Sequence, residues 1–172
     1  MHCRIIQLDN KPIPKEKLID ECTFDCSDFA DYVTELEDRS EKNRIREIKD
    51  NFSGGRLKNI FSVSDDGTVV FEGLTNEVIE GIRGEIQRKA NEFAQGIASA
   101  NHASAYDKDS LTKLTNALND PLQAGLDRYV VYGEFSPSQS IELLEWLIAK
   151  QETGELKKGD TIYIGAILDF HY

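Results

Sequence analysis

The sequence has few of the residues that most often carry chemistry. Its 172 residues include three cysteines, three histidines and one tryptophan. An odd number of cysteines cannot all pair, and residues 1–9 lack the long apolar region and small-residue cleavage site of a signal peptide. No run of about 18 apolar residues is present, so no transmembrane helix is expected. These absences predict free thiols and a soluble cytoplasmic protein.

The scarce cysteines and histidines form no familiar metal-binding pattern. Cys22 and Cys26 are spaced C-x3-C, but a zinc site needs four ligands, and the fold would have to bring His2 and Cys3 to them. No two histidines are spaced H-x-H or H-x-x-x-H. We therefore expect no metal and no cofactor, and we interpret the cysteines as small, partly buried apolar residues.

One polar pair near the C-terminus has the chemistry of a general base. Asp169 and His171 are two residues apart on the last predicted strand, so their side chains lie on the same face. A carboxylate beside an imidazole can orient it as a base for a Ser or Cys nucleophile. The sequence does not indicate that nucleophile, so the alternative is a solvated strand face.

Acidic residues outnumber basic ones by 31 to 20, and the net charge of −11 argues against general binding to nucleic acids or anionic membranes. The charge is unevenly distributed. Residues 39–58 contain seven basic and three acidic residues, whereas the first 38 residues contain ten acidic ones. An acidic surface that faces a basic partner is therefore one hypothesis, with Glu35 and Glu37 as candidate contacts.

The most suggestive short stretch is residues 53–58, at the end of the basic window. Gly54 and Gly55 would let the backbone approach an anion closely, and Arg56 and Lys58 would neutralise its charge. A phosphate-binding loop normally follows a strand and opens a helix, whereas these glycines follow a predicted helix and precede a strand. The alternative is a glycine helix cap with solvated bases beside it.

The strongest periodic pattern covers residues 75–100, with Thr75 as N-cap. Apolar residues recur every three or four positions and form one stripe of an α-helix: Ile79, Ile82, Ile86, Ala90, Phe93 and Ile97. Gly81 and Gly84 lie off the stripe, and each lowers helix propensity by about 1 kcal/mol relative to alanine. We interpret this glycine flank as a close-packing surface, such as a homodimer contact, with a kink near residues 81–84 as the alternative.

The remaining patterns predict an α+β fold with about five strands. Runs of β-branched and aromatic residues lie near residues 3–8, 59–64, 68–72, 129–135 and 161–171. Helical spacing follows a capping Ser or Asp near residues 27–36, 40–52, 110–118 and 138–151. We expect a single α+β domain, 1–172, whose mixed or mostly antiparallel sheet is packed by the long helix and three or four shorter ones.

Two of these segments make specific predictions about side-chain placement. The helix near residues 27–36 is predicted from the spacing of Phe29, Val33 and Leu36. In the last strand, simple alternation places five apolar side chains on one face: Ile162, Ile164, Ala166, Leu168 and Phe170.

The single tryptophan lies in the predicted helix at 138–151. Trp146 is at the edge of the apolar arc of that helix, close to Lys150; the arc consists of Ile141, Leu143, Leu144, Leu147 and Ile148. Trp146 either covers the edge of the core or serves as an exposed aromatic anchor of a protein interface.

Three functional hypotheses follow. The first is a protein-interaction domain without an evident catalytic motif, such as an inhibitor, an immunity-type protein or an adaptor, whose acidic surface and Trp146 meet a basic partner. The second is a small-molecule or nucleotide-binding enzyme with an anion site near Gly54, Arg56 and Lys58. The third is a DNA mimic, which requires carboxylates in paired rows at phosphate-like spacing.

Overall fold

The computed structural model describes residues 2–24, 32–54, 57–99, 128–131 and 138–171. The chain divides into two compact units, which are described separately: Met1–Leu74 with Leu126–Tyr172, and Thr75–Gly125. The predicted helix near residues 110–118 and the second half of the predicted strand at 129–135 lie outside the described residues. No helix in the described ranges is long and apolar enough to cross a membrane.

The described part of the first unit contains one β-sheet and two α-helices. Its described strands are β1 (His2–Asp9), β2 (Tyr32–Glu35), β3 (Phe61–Val63), β4 (Val69–Phe71), β5 (Arg128–Val131), β6 (Ser138–Gln139) and β7 (Thr161–His171). Its helices are α1 (Glu41–Phe52) and α3 (Ser140–Glu152), and a single 3-10 turn, Lys15–Lys17, follows β1. Helix α2 (Asn76–Ser99) belongs to the second unit.

The fold is α+β, with a single mixed sheet that is mostly antiparallel. The strand order is β3-β4-β7-β1-β5-β6, and β2 pairs with β7 on the same edge as β4. Only β1 and β5 run parallel among the described neighbours. The 11-residue strand β7 is central, because β1 covers one edge of it while β2 and β4 pair with opposite ends of the other. The described sheet has more strands than the five expected.

Two of the predicted helices begin at the capping residues that the sequence indicates. Ser40 Oγ accepts a hydrogen bond from the Asn43 backbone N–H (3.2 Å), and Thr75 Oγ1 accepts one from the Val78 N–H (3.2 Å). Helix α2 then runs for 24 residues, which confirms the long helix. Most of the described stripe lies on its less exposed side: Ile79 is buried, and Ile82, Ile86 and Phe93 are half-buried, whereas Ala90 is exposed.

The predicted helix near residues 27–36 is wrong where the structure describes it. Residues Tyr32–Glu35 form β2, with Tyr32 opposite His171 and Val33 opposite Phe170. β-branched and aromatic side chains suit the pleated surface of a sheet, and the edge of β7 supplies backbone partners that a short helix would not have. Helix α3 also begins later than expected, at Ser140, because Ser138–Gln139 pair with β5 as β6.

The sheet has two differently covered faces. On the first, Phe52 of α1 makes edge-to-face contacts with Phe61 and Tyr129, at centroid distances of 5.2 and 6.4 Å. We call this first face of the sheet, which is covered by α1, the α1 face. The second, the loop face, is covered by the segment 15–24, which contributes Ile19 and Phe24 to one apolar cluster; the sheet residues of that cluster are Cys3, Ile5, Val33, Val130, Ala166, Leu168 and Phe170.

A β-bulge in β7 moves part of its side chains to the opposite face. Ile6 is opposite Ile167, whereas Leu8, two residues further on, is opposite Ile164, three residues back. Because β7 has one extra residue at this point, its odd- and even-numbered side chains exchange faces of the sheet beyond it. The prediction of one continuous apolar face is therefore wrong, because Ile164 lies on the α1 face and Phe170 lies on the loop face.

A buried glutamine holds this bulge. Gln7 is only 2% exposed, and its Nε2 donates to the carbonyl oxygen of Lys17 (2.8 Å). Its Oε1 accepts hydrogen bonds from the backbone N–H groups of Ile19 (3.2 Å) and Ala166 (3.3 Å). Gly165 leaves the space that Gln7 occupies, since a Cβ at this position would lie 2.9 Å from Gln7 Cδ. The bulge, Gln7 and the segment after β1 are thus joined by hydrogen bonds.

Candidate functional site

An ion-pair network joins α1 to the sheet. Arg4 Nε and Nη2 donate to the two carboxylate oxygens of Glu47, at 2.6 and 3.1 Å, and Arg4 Nη1 donates to Asp169 Oδ1. The hydrogen bond from Arg4 is the largest influence on the pKa of Glu47 and holds it below the ordinary value of 4.5, although burial acts in the opposite direction. The bidentate geometry is that of a strong charge-assisted contact. We therefore assign this network to the fold.

Arg44 attaches α1 to the bulge of β7. Its guanidinium donates to the carbonyl oxygens of Ile164 (2.7 Å) and Gly165 (2.9 Å). These two residues lie between the part of β7 that pairs with β4 and the part that pairs with β2. A charged donor makes stronger hydrogen bonds to carbonyls than a neutral one, so Arg44 stabilises an irregular part of the central strand.

Several bases in the basic window of residues 39–58 are engaged within the fold. Arg39 pairs with Glu35, and Lys49 pairs with Asp65 at 2.9 Å. Together with Arg44, these contacts show that part of the local positive charge has structural partners. The window is therefore not a simple patch of uncompensated bases.

The predicted anion site lies only partly within the described residues. Gly54 does not have a left-handed backbone, and Lys58 is exposed. Gly55 and Arg56 lie outside the described residues. Anion binding at this stretch stays a prediction.

Asp169 and His171 lie on the same face of β7 but have different neighbours. Arg4 bonds to Asp169, while the imidazole of His171 stacks on Tyr32 with the rings 5.2 Å apart and 4° from parallel. Tyr32 is the cross-strand partner of His171 and is 45% exposed. General-base use of the pair stays a prediction, while the observed contacts stabilise the pairing of β2 with β7.

Candidate metal ligands do not come together in the described part of the chain. There, no group of three or more His, Cys, Asp and Glu side chains is arranged to hold a metal ion. Cys3 is buried in the loop-face cluster, Cys22 is exposed, and Cys26 lies outside the described residues.

Helix α3 presents a carboxylate-rich face beside Trp146. Its inner side buries Leu143, Leu144, Leu147 and Ile148, and its outer side exposes Glu142, Glu145, Ala149 and Glu152. Trp146 is half-buried, and its neighbours one turn away along the helix are Glu142, Ala149 and Lys150. The Lys150 ammonium bonds to Glu155 at 2.6 Å. This face therefore combines negative charge with a partly accessible aromatic ring.

The other two acidic candidates are less suited to act together. Glu35 pairs with Arg39, four residues away, whereas Glu37 is exposed. The local ion pair reduces the negative potential that Glu35 would present to a partner. Their role in binding stays a prediction.

The glycine flank of α2 is open on the described chain. A Cβ added at Gly81 or Gly84 would meet no atom within 4 Å. Within this chain, the described residues therefore do not provide the close packing that the sequence suggested for this flank. A homodimer contact through the helix at 75–100 stays a prediction.

Replacing Gly81 or Gly84 by alanine should raise the free energy of unfolding of the segment by about 0.5–1 kcal/mol, because alanine loses less backbone entropy in a helix. Thermal unfolding at several protein concentrations measures this. If the flank is instead a dimer contact, the added methyl groups should lower the dimer fraction in analytical ultracentrifugation and reduce the melting temperature.

The sequence reasoning missed a buried carboxylate at the end of β1. Asp9 is 8% exposed, and its Oδ1 accepts a hydrogen bond from the backbone N–H of Asn10 (2.6 Å). The Asn10 side chain donates to the carbonyl oxygen of Glu155 (3.0 Å), which connects the end of β1 to the loop after α3. The sequence signal for this site was an acidic residue at the end of a predicted strand that is largely apolar.

No family model, curated protein or solved structure matches this chain. The function must therefore be inferred from its own surfaces and charges. The most distinctive described surface is the outer face of α3, where exposed carboxylates lie beside the half-buried Trp146.

Proposed function

We propose that this chain is a protein-interaction domain, such as an inhibitor, an immunity-type protein or an adaptor, that binds a basic partner protein. The observation that carries the proposal is the outer face of α3. There, Glu142, Glu145 and Glu152 are exposed along one side of the helix, next to the half-buried Trp146.

The physical argument combines two contributions to binding. Negative charges along one helix face attract a basic surface and accelerate encounter, an effect that falls as salt is added. A partly accessible tryptophan supplies apolar area at low entropic cost, and tryptophan is enriched among residues whose truncation strongly weakens interfaces. The exposed Ala149, one turn from Trp146, leaves room for a partner side chain against the ring.

The net charge of the whole chain also favours a basic partner. A charge of −11 produces a negative potential that favours basic proteins over acidic ones. A DNA mimic would need two rows of carboxylates at phosphate-like spacing. The carboxylates of α3 could form one such row, but the hypothesis also requires a second, matching row. We therefore favour a basic protein surface as the ligand.

Charge reversal tests the proposed face. In the double variant Glu142→Lys with Glu145→Lys, we expect affinity for the basic partner to fall about tenfold or more at low salt, with a smaller loss at high salt, because attraction becomes repulsion. The partner is first isolated by a native pull-down and identified, and binding is then followed by titration calorimetry and by the fluorescence of Trp146.

The matched control carries the same charge change elsewhere. Glu16→Lys with Glu21→Lys also alters two exposed carboxylates, and its effect on affinity should be small. Glu35→Lys with Glu37→Lys tests the other candidate contacts. Recovery of no basic partner, or equal losses in the α3 and control variants, would contradict the proposal.

A further inference from the structure

The outer face of α3 combines features that distinguish between the two basic side chains a partner can present. We infer that the partner residue recognised by this face is arginine rather than lysine, with its guanidinium group lying on the ring of Trp146. This inference rests on the proposed function, because it names the chemistry that the same face recognises.

Ala149 lies at the centre of the arrangement. It is exposed, and helical spacing places Glu145 and Trp146 one turn before it and Glu152 one turn after it. Glu145 and Glu152 are exposed, whereas Trp146 is half-buried. Because the alanine side chain ends at its methyl group, the larger side chains around it extend beyond it. A partner side chain placed over Ala149 can therefore contact the indole ring and a carboxylate together.

Trp146 lies at the border between this face and the core. Leu143, one turn earlier, and Leu147, the next residue, are on the inner side of α3 and are 1% and 0% exposed. The tryptophan is thus next to packed residues on one side and to exposed residues on the other. A large ring in such a position supplies contact area at low entropic cost, since only two side-chain torsions have to be fixed.

The one basic residue of α3 is engaged away from the ring. Lys150 lies one turn after Trp146, but its ammonium group bonds to Glu155, in the loop after the helix, at 2.6 Å. The hydrogen bond from Lys150 is also the largest influence on the pKa of Glu155, which it lowers. Because Glu155 compensates the charge of Lys150, a cation for the ring has to come from another molecule.

A guanidinium group matches this face better than an ammonium group does. It is planar and weakly hydrated, so it can lie flat on an indole ring while its N–H groups at the edge donate to a carboxylate. It also binds a carboxylate through two parallel hydrogen bonds. The lysine ammonium is a strongly hydrated point charge that gains from the carboxylates but less from the ring. An indole beside carboxylates around Ala149 therefore favours arginine.

Two peptides of equal charge test this selection. Hexa-arginine and hexa-lysine are titrated into the full chain at physiological salt, and binding is measured by calorimetry. Since Trp146 is the only tryptophan, its fluorescence reports on this face alone. We expect hexa-arginine to bind about fivefold more tightly than hexa-lysine and to change the fluorescence more strongly, because only the guanidinium stacks on the ring.

Two variants separate the contribution of the ring from that of charge. Ala149→Met fills the space beside Trp146 without changing a charge, and methionine is a good helix former, so the melting temperature should stay close to that of the parent. We expect this variant to bind hexa-arginine about fivefold more weakly and hexa-lysine less than about twofold more weakly. Trp146→Leu should have the same selective effect. Ala94→Met, at an exposed position of α2, is the matched control and should change neither affinity.

The possible results separate this inference from the proposed function. Equal affinities of the two peptides for the parent, or equal losses of both peptides in Ala149→Met and Trp146→Leu, would overturn the assignment of arginine and leave the proposed function standing. Peptide binding that is unchanged in Glu142→Lys with Glu145→Lys would contradict the proposed function, and the assignment of arginine with it.

Discussion

Replacing Gly165 by alanine should destabilise the first unit by about 3 kcal/mol or more, the sum expected for overpacking and for loss of buried hydrogen bonds. The new Cβ would lie 2.9 Å from Cδ and 3.1 Å from Cγ of Gln7, and closer still to its Oε1. Gln7 cannot move away without breaking its bonds to Lys17, Ile19 and Ala166. Chemical denaturation measures the loss.

A double-mutant cycle identifies the cause. In a Gln7→Ala background the obstacle is gone, so Gly165→Ala should cost much less than it does in the parent. Gly84→Ala is the reference, because nothing lies within 4 Å of its added methyl group. Equal costs of Gly165→Ala in the presence and absence of the Gln7 side chain would show that the glutamine is not what excludes alanine.

Replacing Arg4 by methionine should cost about 3 kcal/mol at neutral pH, because it leaves two largely buried carboxylates without their shared cation. The side chains of Glu47 and Asp169 are only 9% and 15% exposed, so water compensates little. The exposed pair of Arg88 and Glu92 on α2 is the reference, and Arg88→Met should cost less than about 1 kcal/mol.

The loss caused by Arg4→Met should depend on pH. In the parent, the pKa of Glu47 lies below 4.5, chiefly because of the hydrogen bond from Arg4, so its stabilising contribution is present above about pH 4.5 and disappears as pH falls through the folded-state pKa. Without Arg4, burial disfavours the charged form of Glu47, and the exposed Arg46, whose guanidinium is 3.6 Å from the carboxylate, offsets this only in part. The difference in stability between parent and variant should therefore shrink below pH 4.5.

Denaturation of both proteins between pH 3 and 7 measures this change, and Arg4→Met with Glu47→Met is the control. The double variant removes the Glu47 carboxylate together with Arg4, so it should recover part of the stability that Arg4→Met loses. A loss that stays constant from pH 7 to pH 3 would show that Arg4 acts through packing of its carbon chain rather than through its charge.

The sequence predicts the regular elements well where local signals are strong. The caps at Ser40 and Thr75 mark the starts of α1 and α2, and the isoleucine spacing identifies the less exposed side of α2. The first and last strands also lie where β-branched runs predict them. In each case the information lies within a few neighbouring residues, which is the range over which capping and periodicity act.

The candidate sites are less predictable, because their geometry depends on distant parts of the chain. Trp146 and the carboxylates of α3 are near in sequence, so helical periodicity alone places them on adjacent parts of one surface. The burial of Asp9 was missed because it depends on the pairing of β1 with β7, where Asp9 lies opposite Tyr163, more than a hundred residues away. Burial of a carboxylate is a property of the assembled sheet and not of the residues next to it.

By itself, the sequence determined that this protein is acidic, that it combines helices with strands, and that a long capped helix follows residue 75. Only the tertiary structure decided that residues 32–35 are a strand, that β7 changes face at Gly165, and that Arg4 joins Glu47 to Asp169. The physical reason is the range of the interactions. Helix caps and periodicity act locally, whereas strand pairing, bulges and ion pairs need partners that only the folded chain brings together.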